Sequence, residues 1–403
     1  MTIKQDPTER EGKSRSINIS VKPAVLVWAR ESMGRTVKEA AAILGKNEEL
    51  VRQWEAGQKQ PTLQQIKVLA RFYKRPLAAF FLPSPPQELS LPHDFRTLPD
   101  GNVIPLSLKT RLAMRQARRL QSIASDLKDD DEGNFHARIG QAKLSDDPEA
   151  LAGIVRESLG VSLEEQLSWE KDTDAMDRWK KSVESLGILV FQMSMPLEEA
   201  RAFSFTDGGL PVIVINTKDA LKARIFSLFH ELGHILLNES GICDPSKLSG
   251  EETTAKDRSI EAFCNFFAGC VLIPKDGLLS HRLVAGRTSS YKWPERTLGT
   301  ISNDFKVSKE VILRRLLIAG LTSREFYSLK HNDWMKKEKK QESSKGKSIK
   351  RDIPRECLQR NGTPLTSLIL DSYRNERITT SDVADYLGIR VKHIPRIEKL
   401  LEA

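Results

Sequence analysis

The stretch Ser227–Ser240, SLFHELGHILLNES, places two histidines four residues apart in apolar surroundings, with a glutamate directly after the first. Residues four apart lie one turn apart on the same face of an α-helix, so His230 and His234 project together. Glu231 is the next residue along the helix and can reach the same space. This is the H-E-x-x-H arrangement, in which two imidazoles bind Zn²⁺ and the glutamate serves as a base.

A third metal ligand is expected, because catalytic zinc usually takes three protein ligands and keeps one position open. The stretch Ile260–Ile273 indicates a second apolar helix, in which Glu261 is the only charged residue. A carboxylate is rarely buried unless it is paired or binds a metal. We therefore predict that His230, His234 and Glu261 bind Zn²⁺, with Mn²⁺ or Fe²⁺ also compatible, and that Glu231 is the catalytic base. The next candidates for the third ligand lie in the neighbouring loop: Glu239, Glu251 and Glu252.

A small sheet is predicted immediately before the histidine-bearing helix. The runs LGILVFQM (186–193) and PVIVIN (211–216) are β-branched and of strand length. RAFSF (201–205) between them is a candidate third strand, followed by TDGG as a turn.

The first part of the chain, residues 21–83, has the pattern of five short amphipathic helices. Thr36 and Glu39 have the spacing of a capping box, and Gly45 is placed to end that helix. Asn47 and Thr62 are expected to cap the next two helices. A mostly α-helical α+β architecture results, which we divide into segments as follows: 1–20, disordered; 21–83, five-helix domain; 84–180, linker and helical connector; 181–335, metal-site domain with a small sheet; 336–352, basic linker; 353–403, helical C-terminal unit.

Composition narrows the class of protein. The net charge is +9 and the isoelectric point is about 9.2, which is compatible with a nucleic-acid partner, although much of the excess lies in the run 336–351. No apolar run reaches the ~18–20 residues that span a bilayer, and the N-terminus has no apolar signal core. We expect a cytoplasmic protein with no membrane partner. Four cysteines without a CxxC pair argue against a disulfide framework.

Two segments together resemble the ImmA/IrrE family of metallopeptidases, namely GLPVIVINTKDALKARIFSLFHELGHILLN (209–238) and IEAFCNFFAGCVLIP (260–274). The resemblance covers about residues 180–325 and implies a minimal zincin-like domain. It implies that Asn216 ends a strand, that His230, His234 and Glu261 bind the metal, and that Glu231 is the base. Cys264 stands where the family usually has alanine. A further stretch, FKVSKEVILRRLLIAG (305–320), also has the pattern of a helix-turn-helix. We interpret it first as a structural or substrate-positioning element and second as a DNA-binding element.

Residues 24–82 resemble the XRE-type helix-turn-helix domain, whose third helix lies in the major groove of DNA. Glu48 and Glu49 at the start of that helix depart from the usual polar or basic residues, although a glutamate can accept a hydrogen bond from N4 of cytosine. The residues predicted to contact DNA are Arg35, Lys38, Lys46, Asn47, Arg52 and Lys59. The alternative is a five-helix module retained for protein–protein contact.

The two resemblances imply a metal-dependent endopeptidase coupled to transcriptional control. Its expected substrate is a protein, typically a helix-turn-helix repressor or an antitoxin cleaved in a stress, phage or mobile-element response. The alternative is a non-catalytic DNA-binding regulator, or an antitoxin-like protein, with a structural or vestigial metal site.

Overall fold

The computed structural model describes residues 19–87, 93–94, 106–128, 141–239, 241–243, 255–341 and 352–402. Residues 1–18 of the segment expected to be disordered lie outside the described residues. The chain divides into two compact units, one of Met1–Leu89 with Leu106–Leu112 and one of Ser90–Pro105 with Ala113–Ala403. Among the described residues, no helix is both long enough and apolar enough to span a membrane.

The first unit is helical, and its helix ends follow the predicted caps. The Thr36 hydroxyl accepts from the backbone N–H of Glu39, and the backbone N–H of Thr36 donates to the Glu39 carboxylate. Gly45 ends the helix in the left-handed conformation. Asn47 and Thr62 cap the next two helices. The fifth predicted helix is a short 3₁₀ helix. The elements are α1 (Pro23–Glu31), α2 (Val37–Leu44), α3 (Glu48–Glu55), α4 (Leu63–Phe72) and the 3₁₀ helix Leu77–Phe81.

A nearly buried ion pair joins the first and third helices of this unit. The Arg30 guanidinium contacts both carboxylate oxygens of Glu55, at 2.7 Å and 2.9 Å, and each side chain is only 12% exposed. Arg30 also donates to the backbone carbonyl of Arg35 at 3.0 Å. The pair therefore fixes the position of α3 relative to α1.

Replacing Glu55 with alanine should destabilise this unit by about 3 kcal/mol, because it leaves the Arg30 charge unpaired and largely buried. Hydrogen exchange of amides in α1 and α3 measures the loss. Arg52→Ala is the matched control, since Arg52 pairs with Glu48 on the surface at 3.3 Å and such pairs contribute below about 1 kcal/mol. Equal protection in Glu55→Ala and Arg52→Ala would contradict this account.

The second unit contains a mixed sheet of five strands in the order β1-β5-β3-β4-β2. The three predicted strands are present, with β4 parallel to β2 and antiparallel to β3. Two short strands, β1 and β5, pair with each other in parallel and extend the β3 edge. The strands are β1 (His93–Asp94), β2 (Leu189–Met193), β3 (Ala202–Phe205), β4 (Val212–Asn216) and β5 (Gly241–Cys243).

Helices cover this sheet, and two of them carry the predicted metal ligands. We call α9 (Leu221–Leu236) the histidine helix and α10 (Ala255–Leu272) the glutamate helix. The two helices pack against each other in the same apolar core as Ile213 and Ile215 of β4. The helices are α5 (Leu108–Leu127, in this unit from Ala113), α6 (Pro148–Leu159), α7 (Leu163–Ser168), α8 (Asp172–Glu184), α9 (Leu221–Leu236), α10 (Ala255–Leu272), α11 (Lys275–Ser280), α12 (Glu295–Phe305), α13 (Lys309–Ile318) and α14 (Arg324–Gln341).

The last of these helices differs from the prediction at its C-terminal end. A basic linker was expected from residue 336, but α14 continues to Gln341. Lysine, glutamate and glutamine are good helix formers, so a charged run can extend a helix that tertiary packing has already nucleated.

The C-terminal part of the second unit is a small helical bundle, as the sequence predicts. Leu365, Ile369, Val383, Leu387 and Ile397 are buried in it. Its elements are α15 (Ile353–Asn361), α16 (Thr363–Arg374), α17 (Thr380–Leu387), the 3₁₀ turn Val391–His393 and α18 (Ile394–Leu401).

Candidate metal centre

Three buried side chains converge between the histidine and glutamate helices. The Nε2 atoms of His230 and His234 lie 3.2 Å apart. Each lies 3.3 Å from a carboxylate oxygen of Glu261. All three residues are at most 1% exposed. The structure thus brings together the two histidines and the glutamate that the sequence singles out as ligands.

The spacing of these atoms fits a metal ion. Ligand atoms about 2.0–2.1 Å from a tetrahedral zinc are separated by about 3.3–3.4 Å, so the observed distances need little adjustment. Two neutral imidazoles that direct lone pairs at each other repel, and a cation between them removes that repulsion. Among the described residues, the group His230, His234 and Glu261 meets the geometric requirement for a metal site. The donor set therefore fits a divalent cation.

The electrostatics of the cluster favour positive charge. Burial lowers the pKa of His230, but the Glu261 carboxylate outweighs it and the net pKa is raised. Burial acts to raise the pKa of Glu261, yet the two histidines hold it well below its usual range. The same carboxylate field that favours a protonated histidine favours a bound cation.

Glu231 is fully buried beside these residues and is held by a partner that the sequence did not predict. Its Oε2 accepts a hydrogen bond from the Ser204 hydroxyl at 2.7 Å, and Ser204 is itself 0% exposed. Among the described residues, Glu231 Oε1 has no hydrogen-bond partner. Burial raises the pKa of Glu231, against the lowering effect of His234 and His230. In the sequence, the only indication of this contact is the single hydroxyl-bearing residue in the apolar strand RAFSF.

A close approach of the two helices depends on Gly233, which lies between the histidines. A Cβ atom built at Gly233 would lie 3.1 Å from Cys264 Sγ and 3.2 Å from Cys264 Cα. Both atoms belong to the glutamate helix, so an added methyl group would push that helix away. Burial raises the pKa of Cys264 well above its usual range, which makes it an inert packing residue.

Gly233→Ala should destabilise the second unit by about 1–3 kcal/mol through overpacking, and weaken metal binding because Glu261 moves with its helix. Chelator competition and chemical denaturation measure the two effects. Gly153→Ala in α6 is the matched control, because no atom of the described residues lies within 4 Å of a Cβ built there. That change should stabilise the helix by up to about 1 kcal/mol. Equal metal affinity in the two variants would refute the close-approach argument.

The C-terminal end of the glutamate helix is anchored by buried polar side chains. Arg156 donates to the carbonyl of Val271 at 2.6 Å, Gln166 to that of Leu272 at 2.9 Å, and Arg315 to that of Ile273 at 3.0 Å. These carbonyls would otherwise be unsatisfied at the helix end, and the two cations complement its dipole. Because Arg315 lies in α13, the stretch 305–320 serves here as a structural element that fixes the helix carrying Glu261.

A buried asparagine organises the chain where β4 ends. The Asn216 side chain accepts from the backbone of Met195 at 3.2 Å and of Lys218 at 3.1 Å. It donates to the carbonyls of Met195 and Ala200. These bonds tie the loop before β3 to the end of β4, which explains why an asparagine ends this strand.

The loop alternatives to Glu261 have weaker support. Glu239 pairs with Lys256 at 2.9 Å on the surface. Glu251 and Glu252 lie outside the described residues.

Two of the residues predicted to contact DNA make contacts within the first unit, and the other four lie at exposed positions. Arg35 is occupied within the domain, since it pairs with Glu39 at 2.7 Å and stacks over Phe72 at 4.6 Å. The Asn47 side chain accepts from the backbone of Leu50 at 3.1 Å as the helix cap. The remaining cations lie on exposed positions: Lys38, Lys46, Arg52 and Lys59.

Comparison with known proteins gave two family matches. Residues 183–317 match the family described as IrrE N-terminal-like domain, a metallopeptidase family, and residues 26–80 match the family described as helix-turn-helix. Neither the curated proteins nor the solved structures gave a significant match. The chain thus carries a helix-turn-helix domain followed by an IrrE N-terminal-like domain, in the order that the sequence resemblances indicate.

Proposed function

We propose that this protein is a metal-dependent endopeptidase coupled to transcriptional regulation, which cleaves a helix-turn-helix repressor or an antitoxin. The observation that carries the proposal is the convergence of His230, His234 and Glu261 at 3.2–3.3 Å beside the buried carboxylate of Glu231. Three protein ligands leave a fourth position for substrate or water, as in catalytic zinc sites. Zn²⁺ is our first choice, and Mn²⁺ or Fe²⁺ suit the same ligands.

The roles of the residues follow from their positions. A divalent cation held by His230, His234 and Glu261 would supply Lewis acidity, which would polarise a peptide carbonyl and make water more acidic. Glu231 takes the proton of the attacking water and passes it to the leaving amine. The Ser204 hydroxyl donates to Glu231 Oε2, and Oε1, which has no hydrogen-bond partner among the described residues, is left to take the proton. The apolar helices exclude bulk water and keep these groups in place.

The DNA-binding half of the proposal rests on the first unit. Lys38, Lys46, Arg52 and Lys59 are exposed and are proposed to contact phosphates. The match of residues 26–80 to a helix-turn-helix family supports this assignment. A cytoplasmic location is part of the proposal, because such a regulator acts where the DNA is.

A comparison of new protein N-termini in cells tests the proposed activity whichever protein is cleaved. Cells producing the unchanged chain should contain N-termini that are missing when the chain carries Glu231→Gln. Glu164→Gln is the matched control, because Glu164 is exposed and the change is chemically the same. If the N-termini are identical in all three, and changes within residues 21–83 alone abolish the cellular response, the non-catalytic regulator is the correct alternative.

Ser204→Ala should lower kcat by about 10- to 150-fold on a substrate found in this way, with KM unchanged, because a hydrogen bond to a charged group contributes about 1.5–3 kcal/mol. In a chain that already carries Glu231→Gln, Ser204→Ala should have no further effect on the rate. An equal loss in both backgrounds would mean that Ser204 supports the fold and does not position the base.

A further inference from the structure

The C-terminal bundle repeats the local geometry of the helix-turn-helix in the first unit. Helix α2 has eight residues, a capping box at Thr36, and Gly45 in the left-handed conformation with φ 61°. Helix α17 also has eight residues, a capping box at Thr379, and Gly388 in the left-handed conformation with φ 62°. In both cases helical structure resumes at the third residue after the glycine, at Glu48 and at Val391.

The second helical stretch of the C-terminal pair, Val391–Leu401, has a buried apolar side and an exposed basic side. Ile394 and Ile397 are buried, at 5% and 0% exposure, and anchor it to the bundle. Arg396 and Lys399 are exposed and lie three residues apart on one face of α18, and Lys392 is exposed in the 3₁₀ turn that directly precedes this helix. We call these three residues the basic face.

Two acidic residues, Glu398 within this stretch and Glu402 directly after it, lie near a cation of another helix. Glu398 and Glu402 approach Arg374 of α16 at 3.3 Å and 3.9 Å. Arg396 pairs with Asp352 at 2.8 Å, but its side chain remains 62% exposed and can turn to another anion. The contact between Arg119 and Asp385, at 2.5 Å, is made by α17, and the three residues of the basic face are exposed in the part of the chain that the structure describes.

The corresponding helix of the first unit has the opposite charge at its start. Glu48 and Glu49 occupy its first turn, where Glu48 pairs with Arg52 and Glu49 accepts from Gln53. Carboxylates at that position face phosphate repulsion. The basic face therefore suits the DNA backbone better than the helix that the resemblance to known domains singles out.

We propose that residues 379–402 are a second helix-turn-helix module, which binds double-stranded DNA through the basic face. The major groove is about 12 Å wide and admits a single α-helix, which is how a helix-turn-helix docks. Lys392, Arg396 and Lys399 contact phosphates and position the helix in the groove. Nothing in this inference depends on the metal centre or on peptidase activity.

Fluorescence anisotropy with the full chain and a short labelled duplex of mixed sequence tests the proposal over a range of salt concentrations. Replacing Lys392, Arg396 and Lys399 with glutamine should weaken binding at least about tenfold at low salt. It should also reduce the slope of log affinity against log salt by up to about 2.7, because three phosphate contacts are lost. The three side chains are exposed, so the fold should be retained, and circular dichroism checks this.

Two further triple variants make the test specific. The changes Lys143→Gln, Lys275→Gln and Arg282→Gln remove the same charge from exposed positions elsewhere in the second unit, and should leave binding unchanged. The changes Lys46→Gln, Arg52→Gln and Lys59→Gln remove cations from the first unit, and the effect of the basic face should persist in that background. The proposal is overturned if the basic-face variant binds the duplex as the unchanged chain does. It is also overturned if both second-unit variants lose affinity equally, if the unchanged chain binds no duplex, or if it binds single strands as tightly.

Discussion

Glu231→Gln should reduce kcat/KM for protein cleavage by about 10²–10⁴-fold, because glutamine keeps the size of the side chain and removes its basicity. Bound metal should remain, since Glu231 is not one of the three ligand groups. Glutamine can still accept from the Ser204 hydroxyl, so the buried contact at 2.7 Å need not be lost. A progress curve for the identified substrate gives kcat/KM, and elemental analysis of the same sample gives the amount of bound metal.

The control for this prediction is Glu164→Gln, which makes the same chemical change on the surface and should leave the rate unaltered. In cells, the Glu231→Gln phenotype should match that of a deletion of the gene. Wild-type cleavage by the Glu231→Gln chain would remove the general base from the account and favour a vestigial site.

His230→Ala, His234→Ala and Glu261→Ala should each weaken metal binding by more than about a hundredfold. Each removes one of the three proposed ligands, and even partners that only orient a ligand contribute about 10–100-fold to metal affinity. Glu261→Ala is the most informative of the three variants for the proposed ligand set, because Glu261 was inferred from a lone charge in an apolar helix. Elemental analysis after dialysis against a weak chelator measures the loss.

His331→Ala serves as the control for the histidine variants, because His331 stacks on Tyr327 at 5.7 Å, remote in sequence from the metal centre. Full metal occupancy in Glu261→Ala would show that the third ligand is wrong. Glu239, Glu251 and Glu252 would then be tested by the same change.

Much of the candidate centre could be predicted because its signals are local. The spacing of His230 and His234 fixes their common face as soon as the segment is helical. Glu261 is conspicuous because a single carboxylate in an apolar helix needs a partner. The capping box of Thr36 and Glu39 is also local, since it involves residues three apart.

What the sequence could not supply are contacts between distant elements. Ser204 meets Glu231 only because β3 pairs with β4 in a particular register, with Ser204 opposite Ile213. The steric role of Gly233 depends on Cys264 in another helix. Arg315 reaches the carbonyl of Ile273 across 42 residues of chain. Periodicity and capping rules describe one element at a time, so they contain no information on such pairs.

The most direct test of the account is anomalous diffraction at the zinc absorption edge from crystals of the full chain grown with Zn²⁺. The account predicts one strong peak between the histidine and glutamate helices, about 2.0–2.2 Å from His230 Nε2, His234 Nε2 and a carboxylate oxygen of Glu261. It also predicts that no fourth protein side chain ligates the ion. A peak elsewhere, or a fourth protein ligand that closes the site, would contradict the proposal of a catalytic metal centre.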